Sequence, residues 1–321
     1  MPEYVIDRTL LTSSDEVVCT LFEGHYHLGA GALLNSLLNG GFKGLFWAGY
    51  RGELPPWTAH LREIGPELFE VPNGARIQFA RCCPEMHFTN YKPSLMLDLI
   101  RSGVATKFLW YFDPDITLRC SWEFIRKWAE FGIALCSDVT NGYMPERHPV
   151  RCMWVNAAKD AGWGEPLTAQ TRYFNAGFVG LNIAFTAFVE RWKQAIELAA
   201  HRGMDLKIFM TGTREDPYVS VDQDSLNLAT MYENGPISAI GPEGMGFIHG
   251  GFTMFHAVGL PKPWKKRFLL SALKGNPPGM GDKHFLASAK GPIPLFTPGN
   301  LRLMGMSAAA GALIGRVYSR R

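Results

Sequence analysis

Asp113 and Asp115 stand one residue apart, directly after Lys107–Phe112, a run that is apolar after its lysine and rich in aromatics. Such a run reads as a buried strand. Two carboxylates at the mouth of a parallel-type strand can reach one divalent cation from a single loop, and open α/β sheets bind ligands at those carboxyl ends. Hard oxygen donors suit Mg²⁺ or Mn²⁺, which complete their shells with water and substrate phosphates. The same spacing also closes an ordinary polar turn, so the pair alone leaves both readings open.

Three further blocks follow. They are Phe174-Asn175-Ala176-Gly177-Phe178-Val179-Gly180-Leu181-Asn182, then Asp222-Gln223-Asp224-Ser225-Leu226-Asn227, then His256-Ala257-Val258-Gly259-Leu260-Pro261-Lys262-Pro263-Trp264. Each has a plain structural reading beside a chemical one. Asp222 and Asp224 suit a helix N-terminus, where acids cap and compensate the dipole. His256 sits beside Phe255 in an apolar setting that suits a packed histidine, and Lys262 could be a solvated loop charge.

The four blocks, in this order, resemble glycosyltransferase family 8, the glycogenin and bacterial lipooligosaccharide galactosyltransferase group, over residues 17–268. The last block is the most specific, with many fixed residue types at fixed spacing. The resemblance implies a GT-A type, Rossmann-like single α/β domain with a mixed central sheet and a C-terminal helical extension. It implies an enzyme that moves a hexose, with retention, from a nucleotide-diphosphate sugar to a saccharide or lipid-linked acceptor. UDP-glucose or UDP-galactose would be the donor, and Mn²⁺ or Mg²⁺ the cofactor.

Residue by residue, the resemblance makes Asp113, Asp115 and His256 the metal ligands, and an imidazole ligand tilts the preference towards Mn²⁺. Lys262 would meet the donor diphosphate as it leaves, and Gly259 would let the backbone approach those phosphates. Asn175, Asp222, Gln223 and Asp224 would face sugar and acceptor, where hydroxyls need groups that both donate and accept. Lys92 and Asp138 would lie near the donor, although a surface lysine and a strand-closing acid are equally ordinary readings. Retention can run through a covalent intermediate or by front-face attack; a carboxylate such as Asp224 would be a better nucleophile than Gln223.

The chain departs from the family pattern in two places. The family's acidic-polar pair before a base-stacking aromatic is altered here to Glu23-Gly24-His25-Tyr26, with Tyr26 in the aromatic place. Pro114 also stands inside the D-x-D, where it fixes φ and removes an N–H without removing a ligand. Two rival functions follow from similar folds. A nucleotidyltransferase would show a basic, Gly-rich loop after the first strand, but Glu23–Gly29 has neither lysine nor arginine. A non-catalytic sugar-binding protein would have lost part of the ligand set, yet Asp113, Asp115, His256 and Lys262 are all present.

The elements that must hold these residues alternate between strand and helix signals, as an α/β architecture requires. Strands are expected at 16–21, 44–47, 107–112 and 133–136. Helices are expected at 28–38, 94–101, 122–130, 185–200 and 222–232, the fourth carrying Phe188, Trp192, Ile196 and Ala199 on one face. With 47% hydrophobic and 19% charged residues, the 321-residue chain is globular. Its net charge of +3 gives no ground for a nucleic-acid partner. Six cysteines form no C-x-x-C pair, and residues 1–16 lack an apolar signal core, so a cytoplasmic location is expected. Texture changes after 270, so residues 1–270 are expected as the catalytic domain and 271–321 as an extension. The uncharged stretch 303–315, flanked by arginines, is too short to span a bilayer. It suits either a packed helix or a peripheral segment on the inner face of a membrane.

Overall fold

The computed structural model describes residues 12–71, 73–210, 217–251 and 253–318. In chain order the elements are β1 (Ser14–Glu23), α1 (His27–Asn39), β2 (Leu45–Arg51), β3 (Arg62–Gly65), β4 (Leu68–Glu70), β5 (Arg76–Arg81), α2 (Phe88–Arg101), β6 (Ala105–Phe112), β7 (Ile116–Leu118) and α3 (Trp122–Glu130). They continue with β8 (Ile133–Ser137), α4 (Pro149–Asp160), β9 (Phe174–Asn182), α5 (Thr186–His201), α6 (Val221–Tyr232), β10 (Ile237–Ile240), β11 (Met254–His256), α7 (Phe268–Leu273), α8 (Met280–Ser288) and α9 (Pro298–Val317).

By contact the chain forms two compact units. The first comprises residues up to 21, Arg81–Phe112 and Ile125–Pro242. Its strands run in the order β10-β8-β9-β6-β1. β1 is parallel to β6, and β10 is parallel to β8, while β9 runs antiparallel to both β6 and β8. This is the mixed-sheet α/β class that the sequence implies. Val17, Val18 and Cys19 on β1 and Phe108–Phe112 on β6 are buried throughout, as strands covered on both faces must be. α5 buries Phe188, Trp192, Ile196 and Ala199 against α2 and α6, each such side chain contributing about 1.5–3 kcal/mol when large.

The second unit comprises Phe22–Ala80, Asp113–Phe124 and Glu243–Arg321. It holds β2-β5-β4-β3, whose β5–β4 and β4–β3 pairs are antiparallel, and a separate antiparallel pair of β7 with β11. Among the described residues, no helix is long and apolar enough to cross a membrane.

One helix departs from its expected bounds. The 94–101 segment extends back to Phe88, so Pro93 lies inside α2. Proline disfavours helix at the residue before it. Here that residue is Lys92, pinned in place by a buried ion pair with Asp222 at 2.8 Å, and the tertiary contact overrides the local preference. The His87 side chain accepts from the Thr89 N–H and caps the new start.

The close crossing of β6 and β9 sets a limit on Gly180, because a Cβ there would collide with the Trp110 indole, which is fully buried. Gly180→Ala should therefore lower the unfolding free energy by about 2–3 kcal/mol in a urea titration. An unchanged midpoint would mean the indole moves aside freely.

Candidate functional site

The twelve residues singled out above fall into two groups, one in each unit. In the second unit, Asp113 to Ile116 form a turn closed by the Ile116 N–H donating to the Asp113 carbonyl at 3.1 Å. Pro114 takes the turn position where its fixed φ is favourable, which accounts for a proline between the two acids. β7 starts at Ile116 and pairs with β11 so that Ile116 stands opposite His256. The Ala257 N–H donates to the Asp115 carbonyl at 3.0 Å and extends that pairing.

This register carries the His256 imidazole to the acids. Its Nε2 lies 3.2 Å from Asp115 Oδ1 and 3.7 Å from Asp113 Oδ2. One ligand atom from each of the three residues lies within 4.8 Å of the others. Two carboxylates and an imidazole make a donor set that fits a hard-to-borderline divalent cation. The His256 Nδ1 is buried and has no hydrogen-bond partner among the described residues.

Lys262 is buried beside them. Its ammonium donates to Asp115 Oδ2 at 2.5 Å and to the Ala257 carbonyl at 2.9 Å. Burial by itself would raise the Asp115 pKa, but the His256 imidazole and the Lys262 ammonium hold the carboxyl well below the usual carboxylate range. Gly259, between His256 and Lys262, has φ +83° with open space where a Cβ would stand. Glycine takes that conformation without strain, and among the described residues no atom crowds the place of a Cβ there. A cavity of about 500 Å³ runs beside this loop, with His256, Gly259, Lys266 and Asp282 in its walls.

Tyr26 lies close by, its ring centroid 5.9 Å from the Lys262 ammonium. His25 stacks on it at 5.0 Å and 19°, and Trp264 meets it edge-on at 5.4 Å. The Trp264 indole N–H donates to His25 Nδ1 at 2.8 Å, which places the proton of a neutral His25 on Nε2. Gly29 is tight: a Cβ there would run into the Pro114 carbonyl and the Trp264 ring.

The other group belongs to the first unit. Asp138 Oδ2 accepts from Asn175 Nδ2 at 2.6 Å and from Gln223 Nε2 at 3.3 Å, and Gln223 Oε1 accepts from Asn175 Nδ2 at 3.1 Å. Asp138 Oδ1 accepts the Thr140 N–H at 2.6 Å. Of the acids and amides in this group, Gln223 alone is more than marginally exposed. Asp222 accepts from Lys92 at 2.8 Å and from the Ser220 hydroxyl at 3.0 Å, and Lys92 also donates to the Ala176 carbonyl at 3.1 Å. Asp224 accepts from the Tyr173 hydroxyl at 2.7 Å and from the Ser220 N–H at 2.9 Å. Both first-turn acids of α6 therefore have defined partners, and Lys92 is a buried counter-ion, contrary to the surface-lysine reading.

Sequence reasoning did not single out Tyr173, His25, Trp264 or Gly29 as site-forming. Tyr173 is adjacent to the Phe174–Asn182 block, and Trp264 closes the His256 block, so position next to a motif was the available signal. The Gly29 contact is with residues far away in the chain and left no local mark.

No family model matches the sequence, and no curated protein matches it. A solved structure does. The chain has the fold of LgtC. The crystal structure in question is of an active-site glutamine-to-glutamate mutant of LgtC, with a TM-score of 0.50 over 85% of this chain and 95% of that one, at 14% identity. That match is to the architecture which the motif order implies.

Asp224 gives this group a pH signature. Burial drives its pKa up from 3.8 to about 7, with Asp222 adding to the rise and the Tyr173 and Ser220 hydrogen bonds opposing it. The folded chain thus keeps a proton that the unfolded chain has already lost above pH 4, so Asp224 costs stability progressively as pH rises towards 7. Asp224→Asn, which stays neutral, should gain on the wild type across that window by of the order of 3 kcal/mol. Denaturant melts at several pH values check this. A stability difference that stays flat from pH 4 to 7 would place the titration elsewhere.

Proposed function

We propose that the chain is a metal-dependent, retaining hexosyltransferase acting on a nucleotide-diphosphate sugar, UDP-glucose or UDP-galactose, with a saccharide or lipid-linked acceptor. The observation that carries this reading is the convergence of Asp113, Asp115, His256 and Lys262 in one cluster, with Asp115 and Lys262 buried at its centre. LgtC, whose fold the chain shares, is a family 8 lipooligosaccharide galactosyltransferase, and the four sequence blocks resemble that family. A nucleotidyltransferase is disfavoured because the β1–α1 connection holds no lysine or arginine. A decayed, non-catalytic site is disfavoured because no ligand is missing.

Asp113, Asp115 and His256 would hold Mn²⁺ or Mg²⁺, which when bound neutralises charge on a diphosphate. Lys262 supplies a fixed positive charge to the same leaving group, exchanging its contact with Asp115 for phosphate oxygens. Charge placed where it develops in the transition state is commonly the largest catalytic contribution. Tyr26 with His25 offers aromatic area for the base, and Asn175, Gln223 and Asp138 offer the alternating donors and acceptors that sugar hydroxyls need.

Retention has two routes, and the partners of the candidate nucleophiles support one. Gln223 is an amide and a poor nucleophile. Asp224 is buried, accepts two hydrogen bonds and keeps its proton up to about pH 7. Both facts favour front-face attack. In that route the C1–O bond to the diphosphate breaks with its electron pair staying on phosphate. The acceptor oxygen bonds C1 from the same face, and its proton passes to the departing phosphate oxygen.

Two measurements test the reading. Donor turnover, assayed as UDP release with Mn²⁺, should fall about 100-fold or more in Asp115→Asn and vanish in EDTA. Full activity in either case overturns the metal assignment. Lys262→Ala should lower kcat by about 100-fold with a smaller change in donor KM, because the diphosphate charge grows chiefly in the transition state. A raised KM with unchanged kcat would reduce Lys262 to a ground-state contact.

A further inference from the structure

α9 has two unlike faces. At about 100° per residue, Leu303, Met306, Ala310, Leu313, Ile314 and Val317 share a sector of about 100°. Four of them are well exposed: Leu303 at 62%, Met306 at 59%, Leu313 at 60% and Val317 at 91%. The opposite face sets the half-buried Leu301 and Met304 among small residues. Ala308 and Gly311 are buried, and a Cβ on Gly311 would stand 3.0 Å from the Phe268 carbonyl oxygen and 3.4 Å from Ala272 Cβ. Gly311 thus seats the helix closely on α7, with the face of Leu303 and Leu313 turned outward. α7 itself exposes Leu269, Leu270 and Leu273. The sequence left two readings open for this segment, a packed helix or a peripheral one, and the two faces of α9 accommodate both.

Charge on this part of the chain is one-sided. Residues 257–321 hold eleven lysines and arginines against a single acid, Asp282, and so carry +10, while residues 1–256 carry −7. Asp282 is buried and paired with Lys266 at 2.7 Å. α7 and α9 contain no acid at all. Arg302 and Arg316 are exposed and flank the apolar stripe of α9 on one side.

An apolar stripe alone would suit a second copy of the chain, and a basic span alone would suit a nucleic acid. Together, on a helix without acids, they match a surface that offers hydrocarbon beneath a layer of negative charge. Since no described helix is long and apolar enough to cross a membrane, α9 would lie along such a surface. We propose that α9, aided by the basic span around it, docks this chain peripherally on an anionic lipid bilayer. The proposal rests on no part of the transferase reading.

The test is flotation of the full chain with phosphatidylglycerol-containing vesicles and with pure phosphatidylcholine vesicles, at low and high salt. The bound fraction should be at least tenfold higher on the anionic vesicles and should fall as salt rises. Leu303→Glu/Leu313→Glu and Arg302→Glu/Arg316→Glu should each drop to background while keeping the wild-type melting temperature, since all four side chains are exposed. Light scattering of each protein reports oligomeric state. Three results would overturn the proposal: no binding to anionic vesicles, binding that ignores the leucine substitutions, or a wild-type dimer that these substitutions split.

Discussion

A carboxylate taken out of water costs several kcal/mol unless something answers its charge. Among those this chain buries are Asp115, Asp138, Asp222 and Asp224. Each is answered differently. Asp222 has a lysine, and Asp115 a lysine with an imidazole. Asp138 has two amide donors and a backbone N–H, and Asp224 has a phenol, a backbone N–H and a retained proton. Removing one partner of such a buried pair typically costs about 3–5 kcal/mol, so these answers constrain the elements that carry them. Lys92 must stand in α2, which carries the helix through a proline. The Asp222 carbonyl accepts the Trp192 indole N–H at 2.8 Å, which ties α5 to the start of α6.

The metal-type cluster depends on a much smaller device. β7 and β11 have three residues each, and their register alone places His256 beside the Asp113–Asp115 turn. A slip of one residue would turn the imidazole to the other face of the pair. Several bonds outside the pair hold the register. The Leu118 N–H donates to the Ser36 hydroxyl at 2.8 Å, and the Arg119 N–H to the Thr253 carbonyl at 2.9 Å. Thr253 is in turn fixed to the Gly244 carbonyl through both its N–H and its hydroxyl. A chemical arrangement of three side chains is therefore set in part by hydrogen bonds made beyond them along the chain, at Leu118, Arg119 and Thr253.

The sequence made the large elements legible because their signals are local. β6 is a continuous apolar run, α5 shows helical periodicity, and α3 has Ser121 as its cap, with the Phe124 N–H on its hydroxyl at 3.3 Å. The D-x-D turn and the His256 block were legible as residue types at fixed spacing. What stayed hidden depends on partners remote in sequence. β7 and β11 are too short to show a period, and the extra turns of α2 depend on an acid 130 residues further on. The partners of Lys92, Asp222 and Asp224 likewise become visible only when strands and helices meet. The fold of LgtC at 14% identity fits this division, since side-chain identity can drift widely where only burial and hydrogen bonding are required.

Gly29 shows where such drift has to stop. It lies in a helix with no acid, no ligand and no motif, yet a methyl group there would press on the Pro114 carbonyl and the Trp264 ring together. Three stretches separated by 85 and 150 positions share one gap the width of a hydrogen atom. Any lineage that enlarges the residue at 29 must in the same step reshape the turn between two acids and the aromatic that holds His25. The mutational freedom of this position is set by atoms about a quarter and about three quarters of the chain away, and a local reading of α1 would judge it free to vary.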